Sequence, residues 1–366
     1  MRKELGPVPR LDEDWEVILR HLPEGWEDKA LELGAMTRAR GFESPEALLR
    51  TLLIHLSQGC SLRETVVRAQ EGGIACVSDV ALFKRLRASG EWLRWMAGGL
   101  LGGASWTGVH DGGLRARAVD ATVVSEPGST GTDWRLHYAI DLKSLNCDHF
   151  ELTDATGGES LLRVPISPGD LLIGDRAYGG APGVRHTVQS GGHVLIRLRL
   201  NGLRLATPRG VAFSPLHRAR HLEAGEIGEW PVCALGAGEP IRGRVCAVRK
   251  SRAAAAEAEK RLLKECSKKG KKPTPAALDA ANFVLLFTTI SVQALSRWDV
   301  CELYRARWQI ELAFKRLKSI MALGHLPKHD PESCKAWLHG KLFVALLLER
   351  TLESARAFSP WGYRAA

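Results

Sequence analysis

From Asp12 to about Leu101, apolar residues recur at mixed steps of three and four with no strand-like alternation, which predicts a helical segment. Ser44-Pro45 marks one helix start, an N-cap serine followed by proline at the first helical position. Ser61-Leu62-Arg63-Glu64 marks another, with the S-x-x-E form of a capping box. After the break at Gly72-Gly73, a further helix is expected from Ser78 to Arg87, carrying Lys84, Arg85 and Arg87. Two short helices across such a break are compatible with a helix-turn-helix. A small bundle with a solvated basic face accounts for them as well.

Near Gly112 the period changes to two. LRARAVDATVV, WRLHYAIDL and DHFELTD predict three successive strands of a meander. GDLLIGD is a short apolar strand ending in Asp175; a helix and the strand HVLIRLRL follow. Strands first, then alternating helices and strands, indicate an α/β domain with a mixed sheet. From about Asn201 to Pro240 the chain is Gly-rich and strand-like, and IRGRVCAVRK leads into the helical stretch SRAAAAEAEKRLLKE. Between Lys250 and Pro275 nine Lys or Arg face three Glu, with KKGKKP as a loop. An insertion with its own β-structure is the economical reading. FVLLFTTI restores a buried strand, and residues 292–356 are expected to be helical. The predicted organisation is a helical domain at 1–108, a core at 109–200 resuming at 281–325, a β-rich insertion with a basic loop at 201–280, and a helical C-terminal region at 326–366.

Composition narrows the class. Of 366 residues, 45% are hydrophobic and 25% charged, which is a folded chain with room for two or three domains. Lys plus Arg is 51 against 41 Asp plus Glu, a formal charge of +10 that suits a polyanionic partner through counterion release. MRKELGPVPRLDEDW contains no apolar leader, and the longest apolar run, Leu342 to Leu348, falls far short of the roughly 20 residues of a membrane span. The eight cysteines show no C-x-x-C and no paired spacing, arguing against a zinc ribbon or a disulfide framework and for a reducing cytoplasm. A soluble intracellular protein is expected.

Three carboxylates stand out. Asp120 interrupts a run that otherwise reads as buried, and a buried acid needs a partner or a cation. Asp175 closes an apolar strand. Glu311 lies in WDVCELYRARWQIELAFKRLKSI, where Leu303, Ala306, Ile310, Ala313, Leu317 and Ile320 form one core-facing stripe on a single helix. Tyr304, Arg307, Glu311, Lys315 and Lys318 share a second face, spaced by 3, 4, 4 and 3. A ladder of i,i+4 salt bridges explains that face. So does a phosphodiester site, in which an acid holds a metal while cations hold phosphates.

The spacing Tyr304-x2-Arg307-x3-Glu311-x6-Lys318 resembles the Y-R-E-K signature of bacterial insertion-sequence DDE transposases of the type-four family. DATVV around Asp120, GTDWRLHYAIDL after it and GDLLIGDRAYG around Asp175 resemble that family's first and second acidic regions, so the likeness runs from about Val109 to Leu348. It implies an RNase H-like mixed-sheet core with Asp120 on the first strand, Asp175 just after the fourth and Glu311 on the returning helix. It also implies a β-rich insertion between Asp175 and Glu311.

The implied chemistry is cut-and-paste DNA transposition, with hydrolysis, a DNA hairpin and strand transfer. Two magnesium or manganese ions would be held by the three catalytic acids Asp120, Asp175 and Glu311. Tyr304, Arg307, Lys315 and Lys318 would grip phosphates, with Tyr178 near the DNA. Phe283 stands 28 residues before Glu311, where a related enzyme type stacks a flipped base on tryptophan; a core role suits it equally, and Trp230 is a weaker aromatic candidate. The implied partners are double-stranded DNA with terminal inverted repeats, target DNA and a second protomer in the DNA complex. The implied place is the bacterial cytoplasm, on the nucleoid when DNA is bound, with no membrane. A structure-specific nuclease with the same core and a catalytically inactive, domesticated DNA-binding protein are the competing readings.

Overall fold

The computed structural model describes residues 11–37, 41–102, 114–129, 131–327 and 329–356. The predicted change of texture near Gly112 and the N-terminal stretch before Leu11 lie outside them. The chain forms two compact units, one of Met1–Trp106, Val123–Arg135 and Phe314–Ala366, the other of Thr107–Thr122 and Leu136–Ala313.

The first unit is mainly helical. Its helices are α1 (Leu11–Leu19), α2 (Trp26–Glu32), α3 (Pro45–Gln58), α4 (Leu62–Glu71), α5 (Asp79–Ala88) and α6 (Gly90–Gly102). The three serines cap their helices, although at Ser61 only the N-cap half of the expected capping box is found among the described residues, the Glu64 carboxylate pairing with Arg68 instead. Ser44 Oγ accepts from Ala47 N at 3.1 Å with Pro45 in the first turn, Ser61 Oγ accepts from Glu64 N at 3.2 Å, and Ser78 Oγ accepts from Ala81 N at 3.2 Å. Leu48, Leu52, Leu82, Trp92 and Met96 are fully buried between these helices. The long C-terminal helix (Pro331–Arg356) packs against α6, α5 and α3, so it completes the N-terminal bundle and is not a region of its own. Gly340 makes this approach possible, since a Cβ there would lie 2.5 Å from the Leu56 side chain. Of the three cations expected on α5, Lys84 and Arg87 are exposed, while the Arg85 guanidinium donates to the Ala35 carbonyl at 3.3 Å.

The second unit is built on one sheet. Its strands are β1 (Arg115–Val124), β2 (Trp134–Asp141), β3 (Cys147–Asp154), β4 (Asp170–Gly174), β5 (His193–Arg197), β6 (Arg204–Ala206), β7 (Ile227–Leu235), β8 (Ile241–Arg249) and β9 (Phe283–Thr288), in the order β3-β2-β1-β4-β5-β9-β8-β7-β6. β1, β4 and β5 are parallel neighbours; β9 runs antiparallel to β5, and β8, β7 and β6 follow antiparallel. The strands of 201–280 therefore continue the core sheet through β9, a correction to the expectation of an insertion with separate β-structure.

Both faces of the central strands are covered, which is why they read as continuous apolar runs. Leu172, Val194, Ile196 and Phe287 face a core that α7 (Ala181–Gln189) and α8 (Pro215–Ala219) help to close. Leu171, Ile173, Leu195 and Leu286 face the opposite core with Val300. α9 (Arg252–Lys268) and α10 (Pro275–Ala281) link β8 to β9.

The single helix expected around Glu311 is two, α11 (Arg297–Ala306) and α12 (Trp308–Ser319), with α13 the C-terminal helix already described. At the break Arg307 N donates to Tyr304 O at 3.2 Å and Ile310 N to Arg307 O at 3.1 Å, a tightened turn of i→i−3 bonds. The apolar stripe drifts in consequence. Ile310 and Leu317 are buried, but Ile320 is 72% exposed. α11 begins with a full capping box in which Ser296 and Asp299 each cap the other.

Candidate active site

A buried ion network sets the register that places the acids. Arg117 on β1 is 3% exposed; it donates to both carboxylate oxygens of Asp148 on β3 at 2.8 Å and to Asp170, the first residue of β4, at 2.9 Å. Burial alone would lower the Arg117 guanidinium, but Asp148 and Asp170 together, through their hydrogen bonds and charges, hold it raised. β1 and β4 then pair with Val119 opposite Gly174, so Asp120 on β1 and Asp175 just past the end of β4 each come one residue after the last pair. Period two gives the face. Ala116 on β1 and Ile173 on β4 belong to the core that Val300 and Tyr304 of α11 close, and Asp120 and Asp175 fall in step with them.

α11 delivers the third group. Arg307, at its C-terminal cap, donates from Nη1 to Asp120 Oδ2 at 3.3 Å and from Nη2 to Glu311 Oε1, so one guanidinium bridges two carboxylates. The Tyr304 ring lies 5.9 Å from the guanidinium carbon. Burial pushes the Asp120 carboxyl up to about 6; Asp175 and Glu159 add to this, while the Ala121 N–H and Arg307 oppose it. Burial chiefly raises the Tyr304 hydroxyl. It would lower Arg307, but the bond to Glu311, together with the charges of Tyr304, Glu311 and Asp120, holds that guanidinium raised.

Asp175 caps the short 3-10 turn Arg176–Tyr178, accepting from Ala177 N at 2.7 Å. Gly174 before it has close company: a Cβ there would lie 2.7 Å from the Tyr178 Cβ. Tyr178 is consequently folded beneath the turn and 3% exposed, not presented to a ligand. Phe283 is likewise 3% exposed, with the Arg249 guanidinium 5.9 Å from its ring, and it takes the core role. Trp230 packs on the same core against Phe213. Lys315 and Lys318 are exposed on α12.

The pattern along the chain had not singled out Arg176, Arg197 or Glu159. Arg197 ends β5; its Nε is buried without a hydrogen-bond partner, and burial followed by nearby Arg176 lowers its guanidinium. The only sequence signal for it is the alternation of HVLIRLRL, which puts Arg197 and Arg199 on one face.

The donors are carboxylate oxygens, the kind a hard divalent cation takes, and at Asp120 burial makes an added positive charge favourable. Among the described residues no three His, Cys, Asp or Glu are already gathered to hold one together. Arg307 supplies the bridging charge between Asp120 and Glu311 instead. Among them, too, no helix is long and apolar enough to cross a membrane.

Along most of its length the chain is similar to known transposases. A model of the transposase DDE domain family matches residues 111–348, which include all three acids. The transposase for insertion sequence element IS421 of Escherichia coli is 36% identical over 359 residues, covering 95% of this chain and 96% of that one. The transposase for insertion sequence element IS231B of Bacillus thuringiensis subsp. berliner is 24% identical over 386 residues, covering 93% and 80%. A solved piggyBac transposase synaptic complex with hairpin DNA aligns over 97% of this chain and 70% of that one with a TM-score of 0.42 and 8% identity, a likeness that carries no argument.

Proposed function

The chain belongs to the transposase DDE domain family of metal-dependent enzymes that cut DNA and transfer strands, and from that premise we propose that Asp120, Asp175 and Glu311 are its catalytic acids in cut-and-paste transposition of an insertion element. One observation carries the assignment. Asp120 on β1 and Asp175 just past the end of β4 each follow the paired residues Val119 and Gly174, and a single arginine ties Asp120 to Glu311. The order β3-β2-β1-β4-β5, with an acid on the first strand and one after the fourth, supports an RNase H-like core. The Y-R-E-K spacing supports the type-four subtype and, with it, a hairpin intermediate.

Two magnesium or manganese ions held by the three acids would supply the charge that lowers the nucleophile's pKa and steadies the leaving 3′-oxygen. The chain's own residues do the rest. Asp120 on β1 and Asp175 just past the end of β4 provide anionic oxygens, and Glu311 adds a third from an exposed side chain. Arg307 holds the carboxylates together before DNA arrives, and its two-pronged fork can then turn to a phosphate bidentately. Tyr304 backs that guanidinium, and Lys315 and Lys318 extend the cationic strip. Double-stranded DNA with terminal repeats, target DNA and a second protomer on the complex are the partners this reading requires.

The test is cleavage of a labelled duplex carrying the element's terminal repeat, in magnesium, in calcium and with Glu311→Gln. Magnesium-dependent cutting at the repeat boundary, lost in Glu311→Gln while binding persists, is the expected result. Joined products distinguish a transposase from a nuclease, and a closed hairpin shows as a slow denatured band. Tight binding with no cleavage in magnesium or manganese would instead identify a DNA-binding relic.

A further inference from the structure

Arg176 and Arg197 also line a cavity of about 680 Å³, within the roughly 300–1,000 Å³ of typical ligand pockets. Arg199, Lys250 and Arg261 share its lining, and Phe283 and Leu285 provide apolar wall. Two carboxylates reach it, Glu257 and Glu265, but both have other partners. Glu257 pairs with Arg261 at 3.1 Å, and Glu265 with Lys269 at 2.6 Å.

Arg176 acts at longer range on Glu265 and Asp175 on Arg197, without a close ion pair among the described residues. Arg197 makes no ion pair among the described residues, and its Nε is buried without a hydrogen bond. Lys250 Nζ donates to the Ala281 carbonyl at 2.6 Å, a neutral acceptor. Burial and then the charges of Arg197, Arg176 and Arg261 pull its ammonium down to about 8. The lining thus sets five cations against two carboxylates, and the excess positive charge, partly desolvated, is costly unless something negative joins it. α9, which forms one wall, has no buried residue and can yield to an incoming chain.

We propose that this cavity is a phosphate subsite in which Arg176, Arg197 and Lys250 take one backbone phosphate of the DNA. It deepens the function proposed above and rests on it, since Arg176 directly follows the acid Asp175 and the phosphate would belong to the strand that passes the site. A polynucleotide phosphate and free inorganic phosphate present the same chemistry, so the experiment separates them.

The full chain is treated with an N-hydroxysuccinimidyl acetate at pH 8, and Lys250 acetylation is followed by mass spectrometry. Three arms are run: protein alone, protein saturated with terminal-repeat duplex as judged by anisotropy, and protein with inorganic phosphate at matched ionic strength. The duplex slows Lys250 acetylation about tenfold, and inorganic phosphate does so far less. In parallel, Lys250→Met makes the dependence of duplex affinity on salt shallower by about 0.9 in log–log slope, the share of one phosphate contact, while Lys250→Arg retains it.

Unchanged acetylation of Lys250 with duplex demonstrably bound overturns the subsite and leaves the catalytic reading to its own cleavage assay. Protection by inorganic phosphate but not by duplex overturns the assignment to DNA. Failure of the unmodified chain to bind any duplex removes the proposed function, and the subsite with it.

Discussion

Asp120→Asn should stabilise the second unit at neutral pH and leave it unchanged in acid. The Asp120 carboxyl titrates at about 6 in the folded unit against 3.8 for the free side chain, because burial outweighs the Ala121 N–H and Arg307. The folded state therefore holds that proton more tightly than the unfolded chain does. Its stability is full below pH 3.8 and is lost as pH rises through 6. The loss has a ceiling of about 3 kcal/mol, trimmed because the side chain is 18% exposed. Asparagine stands in for the protonated acid, so the variant matches the parent in acid and exceeds it at neutral pH. Opening of the sheet should be suppressed about 3-fold at pH 4, about 15-fold at pH 5 and about 150-fold at pH 7. Deuterium exchange of β4 and β5 amides, with chelator present, reads this within the second unit alone. Comparing variant and parent at one pH cancels the intrinsic exchange rate. Added magnesium should then slow exchange in the parent and not in the variant, since a ligand that binds only the folded state stabilises it by mass action. A ratio that is flat from pH 4 to 7, or a parent that tightens as pH rises, refutes the argument that burial dominates at Asp120.

Other substitutions probe the frame around the acids. Arg117→Met takes the buried cation from between Asp148 and Asp170, leaving them only the more exposed Arg115 at 2.8 and 3.8 Å, and should cost about 3–5 kcal/mol, read by the same exchange measurement. Gly174→Ala brings a Cβ to 2.7 Å from Tyr178 and should cost about 1–3 kcal/mol, with cleavage falling as the Asp175 turn shifts. Arg307→Lys keeps the charge but cannot bridge Asp120 and Glu311, so cleavage should drop about a hundredfold while duplex affinity changes little.

Some of this architecture was legible along the chain because it is local. Ser44, Ser61 and Ser78 announce helix starts through bonds to residues three positions on, and the structure contains each of them. Asp120 and Asp175 were visible because a charged residue interrupts or closes an apolar run whose faces are both buried. What escaped was partnership between distant segments. Alternation tells which way a strand's side chains face, but not that β9 would join β5 to β8 and turn an apparent insertion into more of the same sheet. The apolar run of the C-terminal helix announced burial without saying that α6 would be its neighbour.

Direction, not position, explains the remaining differences at the site. Counting residues from Asp175 reaches Tyr178, and counting back from Glu311 reaches Phe283, yet both rings are buried. Tyr178 can fold inward because Gly174 lacks a Cβ, and Phe283 turns into the core at the start of β9. Likewise the i,i+4 spacing of Arg307 and Glu311 fits a surface salt bridge as well as a catalytic pair. The difference lies in the break at Arg307, which neither proline nor glycine announces, and in the strand register that brings Asp120 to the same guanidinium. A surface ladder has no third member buried enough to titrate near 6. It is Asp120, joined to that pair from a strand far away in sequence, that sets this spacing apart from an ordinary helical ladder.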